Sequence, residues 1–384
     1  MDTQSFALPF QRPSPFAPPP EYAALRRDSP VVRTTTGAGT PAWLVLGAAE
    51  AQRVLADRRF AITREGVEVD TESLLCDGEP HARLRGALSR GLSPRTLDRL
   101  RPRVDGLAHG LVADLRAGGA PGDLVAGLSR PLTRAVIAEV LGVPADARSR
   151  FDAWAESVSV AIVDDLDGGV EVWLELIDHL GGLIADKRAD PGADLLSELV
   201  AIRDDGRLND RELVLAAAAL LSGGYLTTIN SLSIGLVKLL AHGGLGGLGD
   251  EAAAERAVEE VLRHQAGLSG EAIPRWARAD VELAGLRIAA GDMVLVRLEA
   301  ANRDPAVFDE PDRFDPTRRP RPHVRFGYGP HRCIGAAVAR MELVAAVRAL
   351  ADQLPGLALS TPPEELPWTD HPIDTGPERV PATW

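Results

Sequence analysis

One stretch narrows the folds open to this chain more than any other. Residues 210 to 242, DRELVLAAAALLSGGYLTTINSLSIGLVKLLAH, are apolar nearly all round. A helix with one apolar stripe lies on a core, whereas a helix apolar on every side has to run through it. The rest of the chain is therefore expected to wrap around this segment. Its middle carries Gly223 and Gly224, where a helix favours neither, and the hydrogen-bond ladder is expected to open there.

The surroundings read as mainly helical. Leu97, Leu100, Val104, Leu107, Leu111 and Leu115 recur at intervals of three and four, the period of one amphipathic helix. Further helices are expected near 124 to 141, 147 to 163, 170 to 188, 193 to 203 and 335 to 354, punctuated by Gly, Pro and Asp. Strands are expected in two places. Residues 30 to 47 read as a hairpin, and 272 to 300 alternate around Gly285 and Gly291. Residues 1 to 20 are a Pro-rich, extended lead-in. With no internal repeat and no low-complexity linker, residues 1 to 384 are expected to form a single α+β domain, mainly α with small β-sheets.

Charge and cysteine content exclude several functions. With 55 acidic against 42 basic residues, the net charge of −13 argues against a nucleic-acid binder, which needs a basic face. Cys76 and Cys333 are too few and too far apart for a disulfide framework or a zinc motif, and they suit a reducing, cytoplasmic setting. No basic segment precedes an apolar run at the N-terminus. No stretch is expected to reach the apolarity of a membrane span, so no membrane partner is expected.

The strongest local pattern is FGYGPHRCIG, Phe326 to Gly335, set immediately before a helix. A lone cysteine is by default an inert, buried one, and Cys76 is read that way. Around Cys333 the context reverses that default. Gly327 and Gly329 let the backbone turn tightly, so that N–H groups can face a thiolate and stabilise it as a metal ligand.

This decapeptide resembles the haem-binding signature of the cytochrome P-450 family, and other motifs follow in that family's order. The resemblance implies a cytochrome P-450 fold, with heme b held between the long central helix and the helix after the Cys loop. Cys333 would be the axial thiolate on iron, Phe326 would cover the sulfur side of the macrocycle, and Gly335 would let the helix approach it. In AVEEVLRHQ, Glu260 and Arg263 resemble the family's ExxR pair, which joins a second arginine from PDRFDP, here Arg313. DGEPHARLR resembles the helix that supplies haem propionate partners, implying that role for His81 and Arg85, with Arg275 and His331 in the remaining positions. The implied chemistry takes O2 and two external electrons to hydroxylate, epoxidise or oxidatively couple an organic substrate. Electrons would come from a ferredoxin and a ferredoxin reductase drawing on NAD(P)H. Arg325 and Arg332, flanking the loop, would make the docking face basic.

The sequence departs from the family at one position. Where the long helix usually carries an acid before its threonine, this chain reads Gly223, Gly224, Tyr225, Leu226, Thr227. Gly224 is expected to leave room for O2, and Thr227 to steady it by a hydroxyl that donates and accepts. Alternatively, Thr227 bonds back to its own helix. Leu226 cannot relay protons, so water, a polar substrate group or a crippled reaction are the alternatives. The leading reading is a tailoring enzyme of bacterial secondary metabolism acting on a small molecule or peptide. Oxidative crosslinking of an aromatic peptide or diketopiperazine is a second, and a non-catalytic haem-binding or recruitment module a third. Tyr225, Val163 and His371 are candidate pocket residues.

Overall fold

A computed structural model describes residues 6–67, 70–144, 147–148, 166–265, 273–369 and 374–384. The helix expected at 147 to 163 falls almost wholly outside them, as do Val163 and His371. The chain forms two compact units, each drawn from separate stretches. One comprises Met1–Asp70, Leu75–Gly78 and Glu259–Cys333; the other comprises Thr71–Leu74, Glu79–Val258 and Ile334–Trp384.

The first unit holds the main sheet. Its six strands run in the order Phe6–Ala7, Val31–Thr35, Pro41–Val45, Met293–Val296, Arg275–Ala277, Phe60–Ala61. The hairpin expected at 30 to 47 is present, with Val31 paired to Val45 and Thr35 to Pro41. The second β-rich patch is there as well. Val281–Leu283 and Leu286–Ile288 form their own hairpin, turned at Ala284 and Gly285, both with positive φ. Val31, Trp43, Val45, Val294 and Val296 pack on Val54, Leu55 and Phe60, because alternate strand side chains share a face. The Pro-rich lead-in is tied down by Arg12, whose guanidinium donates to both carboxylate oxygens of Glu299 at 2.9 and 2.7 Å.

The second unit is mainly helical, with one small antiparallel sheet whose strands run in the order Ala358–Leu359, Pro381–Thr383, Gly122–Asp123. The axis of the unit is the helix Asp210–Ala241, packed against Arg130–Leu141, Leu166–Ala189, Leu195–Asp204 and Ala336–Gln353. An Asn209 capping box starts it: the Glu212 N–H donates to Asn209 Oδ1 and the Asn209 N–H to Glu212 Oε2, each at 2.8 Å. Arg83 clamps the buried Glu212 carboxylate from the helix Gly78–Gly91. The ladder expected to open at the glycines does not. The helix is continuous from Asp210 to Ala241, since two glycines cost only about 1 kcal/mol each against the burial on either side. By length and composition this helix also passes as a membrane span, correcting the expectation that no stretch would. Half (50%) of its most apolar window is buried inside the protein.

The helix predicted from Leu97 to Leu115 is Pro94–Gly118, opened by a Ser93 cap and buried along Leu100, Val104, Ala108 and Val112. It packs along Ala336–Gln353, the last long helix. On that last helix lies Glu342, fully buried, which receives a hydrogen bond from the Thr133 hydroxyl. Burial pushes its pKa up to about 8, against the pull of that bond.

Candidate active site

In the first unit the cysteine loop is built as its composition requires. Gly327 and Gly329 have φ of 69° and 71°, a region that suits glycine. A Cβ on Gly329 would collide with the Leu55 carbonyl oxygen. The Cys333 N–H donates to the Phe326 carbonyl at 2.7 Å, closing the loop. Upstream, the Val324 N–H donates to Asn302 Oδ1 at 2.8 Å, fixing the approach. Cys333 is exposed and outside any disulfide; Cys76 is buried.

The ExxR pair is buried and doubly hydrogen bonded. Arg263 Nε and Nη2 donate to Glu260 Oε2 and Oε1 at 2.7 and 2.8 Å. Its Nη1 donates to the Asn302 and Pro311 carbonyls, each at 2.9 Å. The second arginine is not Arg313, as the motif implied, but Arg318. Arg318 Nε reaches Glu260 Oε1 at 3.2 Å, while the Arg313 side chain turns outward to Glu310. The reason is local. The backbone there presents the Arg313 carbonyl inward, where Arg263 and Arg318 both donate to it at 3.4 and 3.1 Å.

Arg275 and His331 converge on a carboxylate that sequence reasoning missed. His331 Nε2 lies 3.0 Å from Asp77 Oδ1. The charge on Asp77 opposes the lowering of the Arg275 pKa by burial. Arg275 is buried and uses Nη1 on the Ile273 and Pro274 carbonyls, with no further hydrogen bond among the described residues. A buried guanidinium with donors to offer suits an anionic group. Arg325, expected on the docking face, is buried; Arg332 is exposed.

In the second unit, His81 and Arg85 sit four apart on the helix Gly78–Gly91, His81 buried and Arg85 half-buried. On the long helix, the Thr227 hydroxyl donates to the Gly223 carbonyl at 2.7 Å, the alternative of bonding back to its own helix. Open space lies at Gly223 rather than Gly224. A Cβ at Gly223 would meet nothing within 4 Å, whereas one at Gly224 would lie 3.6 Å from Ile137 Cδ1. Leu226 is half-buried and Tyr225 buried. One turn beyond Thr227, the Asn230 amide donates to the Asp374 carbonyl at 3.3 Å, which brings 374 to 376 alongside this helix. Gly335 precedes Ala336–Gln353, and a Cβ there would meet nothing within 4 Å.

These residues fit a haem. The exposed Cys333 thiol can supply a thiolate, and buried Arg275 has donors for a carboxylate. Comparison with known proteins gives the same class. The family model described as "Cytochrome P450" matches residues 253–351, from the ExxR helix through the cysteine loop. Nocardicin C N-oxygenase of Nocardia uniformis subsp. tsuyamanensis is 36% identical, over 100% of this chain and 99% of its own. Cytochrome P450 monooxygenase PikC of Streptomyces venezuelae is 39% identical, over 96% of this chain and 91% of its own. The crystal structure of the LnmA cytochrome P450 hydroxylase, from the leinamycin biosynthetic pathway of Streptomyces atroolivaceus, superposes with a TM-score of 0.90 at 33% identity. It covers 99% of this chain and 100% of that one.

The chain belongs to the cytochrome P450 family and is an oxidoreductase of the monooxygenase type. The family carries haem iron on a cysteine thiolate.

Proposed function

We propose that this protein oxidises a small organic scaffold of bacterial secondary metabolism, by hydroxylation, epoxidation or oxidative coupling, in the cytoplasm. The observation that carries the reading is the cysteine loop, with exposed Cys333, half-buried His331 bonded to Asp77, and buried Arg275 in the same unit. Its relatives include an N-oxygenase and a pathway hydroxylase, which supports a tailoring role.

When bound, the haem supplies the activation of O2 with two electrons, chemistry no side chain here can perform. Cys333 would hold it as thiolate, Phe326 and Gly335 would border it, and Arg275, His331, His81 and Arg85 would meet its carboxylates. On the long helix, the Thr227 hydroxyl keeps its acceptor lone pairs while donating to Gly223, and it can redirect its proton only by leaving that carbonyl. Leu226 holds no proton, so the proton path runs through water, hydroxyls or a polar group of the substrate. A ferredoxin with its NAD(P)H-dependent reductase would deliver electrons, with exposed Arg332 on the approach to the loop.

The test is reconstitution with haem, ferredoxin and reductase, followed by product analysis over a metabolite panel first screened by ferric spectral shift. Oxygenated product from a ligand that shifts the spectrum is the expected result. No product from any such ligand, even with peroxide supplied, would overturn the reading.

A further inference from the structure

Asp77 belongs to none of the positions assigned to the cofactor, yet it is engaged from several sides. It accepts from the Ile62 N–H at 3.3 Å, the Thr63 N–H at 3.2 Å, the Thr63 hydroxyl at 2.9 Å and His331 Nε2 at 3.0 Å. An ionised carboxylate has about four acceptor sites and no donor. Its sites are therefore filled, and the ring nitrogen facing it must carry its hydrogen. Burial works to raise the Asp77 pKa, but the bonds from His331, Thr63 and Ile62 outweigh it and hold the carboxyl well below its ordinary range. While donating its hydrogen bond to Asp77, the Thr63 hydroxyl accepts from Arg278 Nη2 at 2.6 Å. One carboxylate thus joins the end of the strand Phe60–Ala61, the strand of Arg275 and the cysteine loop.

We propose that Asp77 is a positioning residue for the cysteine loop, holding the His331 ring, two residues before Cys333, in a single orientation. The proposal rests on the reading of Cys333 as the haem ligand and of His331 as a contact to the cofactor. With Nε2 committed to Asp77, the ring can turn only Nδ1 toward a carboxylate of the cofactor. Rotation of the ring would cost the Asp77 bond. Asp77 acts through His331 and touches neither substrate nor the reacting atoms.

The test is a double-mutant cycle on the haem-loaded, full-length protein, read by the rate of haem transfer to excess apomyoglobin and by the ferric–ferrous midpoint potential. The amide nitrogen of Asp77→Asn cannot accept. This variant is expected to speed haem loss about tenfold, the equivalent of one charge-assisted hydrogen bond, and to shift the potential. His331→Gln is expected to do the same, and adding Asp77→Asn to it should change neither readout further, because both act through one contact. Thr63→Val removes a different donor to Asp77 and the acceptor of Arg278. It should lower the thermal midpoint while leaving haem loss and potential in place. Additive effects of Asp77→Asn and His331→Gln, or a potential shift in Thr63→Val, would overturn the proposal alone. A silent His331→Gln would overturn it together with the cofactor-contact reading beneath it.

Discussion

The Glu260 network offers the sharpest energetic prediction, because three arginines near it occupy different settings. Arg263→Met removes the bidentate partner of a carboxylate whose side chain, like that of Arg263, is only 2% exposed. Glu260 then keeps the Asp315 N–H at 3.0 Å and Arg318 Nε at 3.2 Å. Breaking a buried pair in this way costs about 3–5 kcal/mol, a large share of the roughly 5–15 kcal/mol that holds a protein folded. Arg318 is 16% exposed and adds one bond to Glu260 and three to carbonyls. Its loss leaves Glu260 paired, so Arg318→Met should cost about 1.5–3 kcal/mol, the range for hydrogen bonds to charged groups. Arg313 and its partner Glu310 are 62% and 72% exposed, and Arg313→Met should cost about 0–1 kcal/mol. Urea unfolding followed by circular dichroism gives the order directly, through midpoints at unchanged slope. An Arg313→Met midpoint as low as that of Arg318→Met, or an Arg263→Met midpoint at the wild-type value, would show this ordering to be wrong.

Three further side chains, Glu342, Thr227 and Leu226, each carry an expected outcome. Glu342 has its folded pKa raised to about 8 from 4.5, so its contribution to stability is complete below the unfolded value and declines as pH climbs toward about 8. The slope in that window is about 1.4 kcal/mol per pH unit. Glu342→Gln should flatten the fall in stability between about pH 5 and pH 8, and equal slopes in the two proteins would contradict it. On the long helix, Thr227→Ala should lower product formed per NAD(P)H for every substrate. Leu226→Glu should raise it for poor substrates more than for the best one, because only the poor ones lack a proton path. A wild type equally coupled with ligands that carry no polar group would rule out substrate-assisted delivery.

Periodic elements are legible in the sequence itself. The leucines from 97 to 115 mark a helix, the apolar run at 210 to 242 marks the axis of the helical unit, and alternation marks both hairpins. The cysteine loop is legible because glycine spacing ahead of a helix encodes backbone geometry. What escapes a sequence reading are choices made by packing along segments with no period. Between 309 and 324 nothing local says whether Arg313 or Arg318 turns inward. Arg325 reads as a surface charge and is buried, and Glu342, inside ARMELVAAV, gives no sign of full burial. Asp77 and His331 are 254 residues apart, beyond any local pattern. Gly223 and Gly224 suggest an interruption that the capped and buried helix overrides.

Whether Cys333 holds the haem as thiolate is decided by the spectrum of the reduced, carbon-monoxide-bound protein. Wild type and Cys76→Ser should both show the red-shifted Soret band of thiolate ligation, since Cys76 is buried and its own sequence surroundings, LLCDGEPH, form no glycine-spaced loop of this kind. Cys333→Ser should lose it. A red-shifted band retained in Cys333→Ser, or absent from the haem-loaded wild type, would mean that Cys333 is not the ligand.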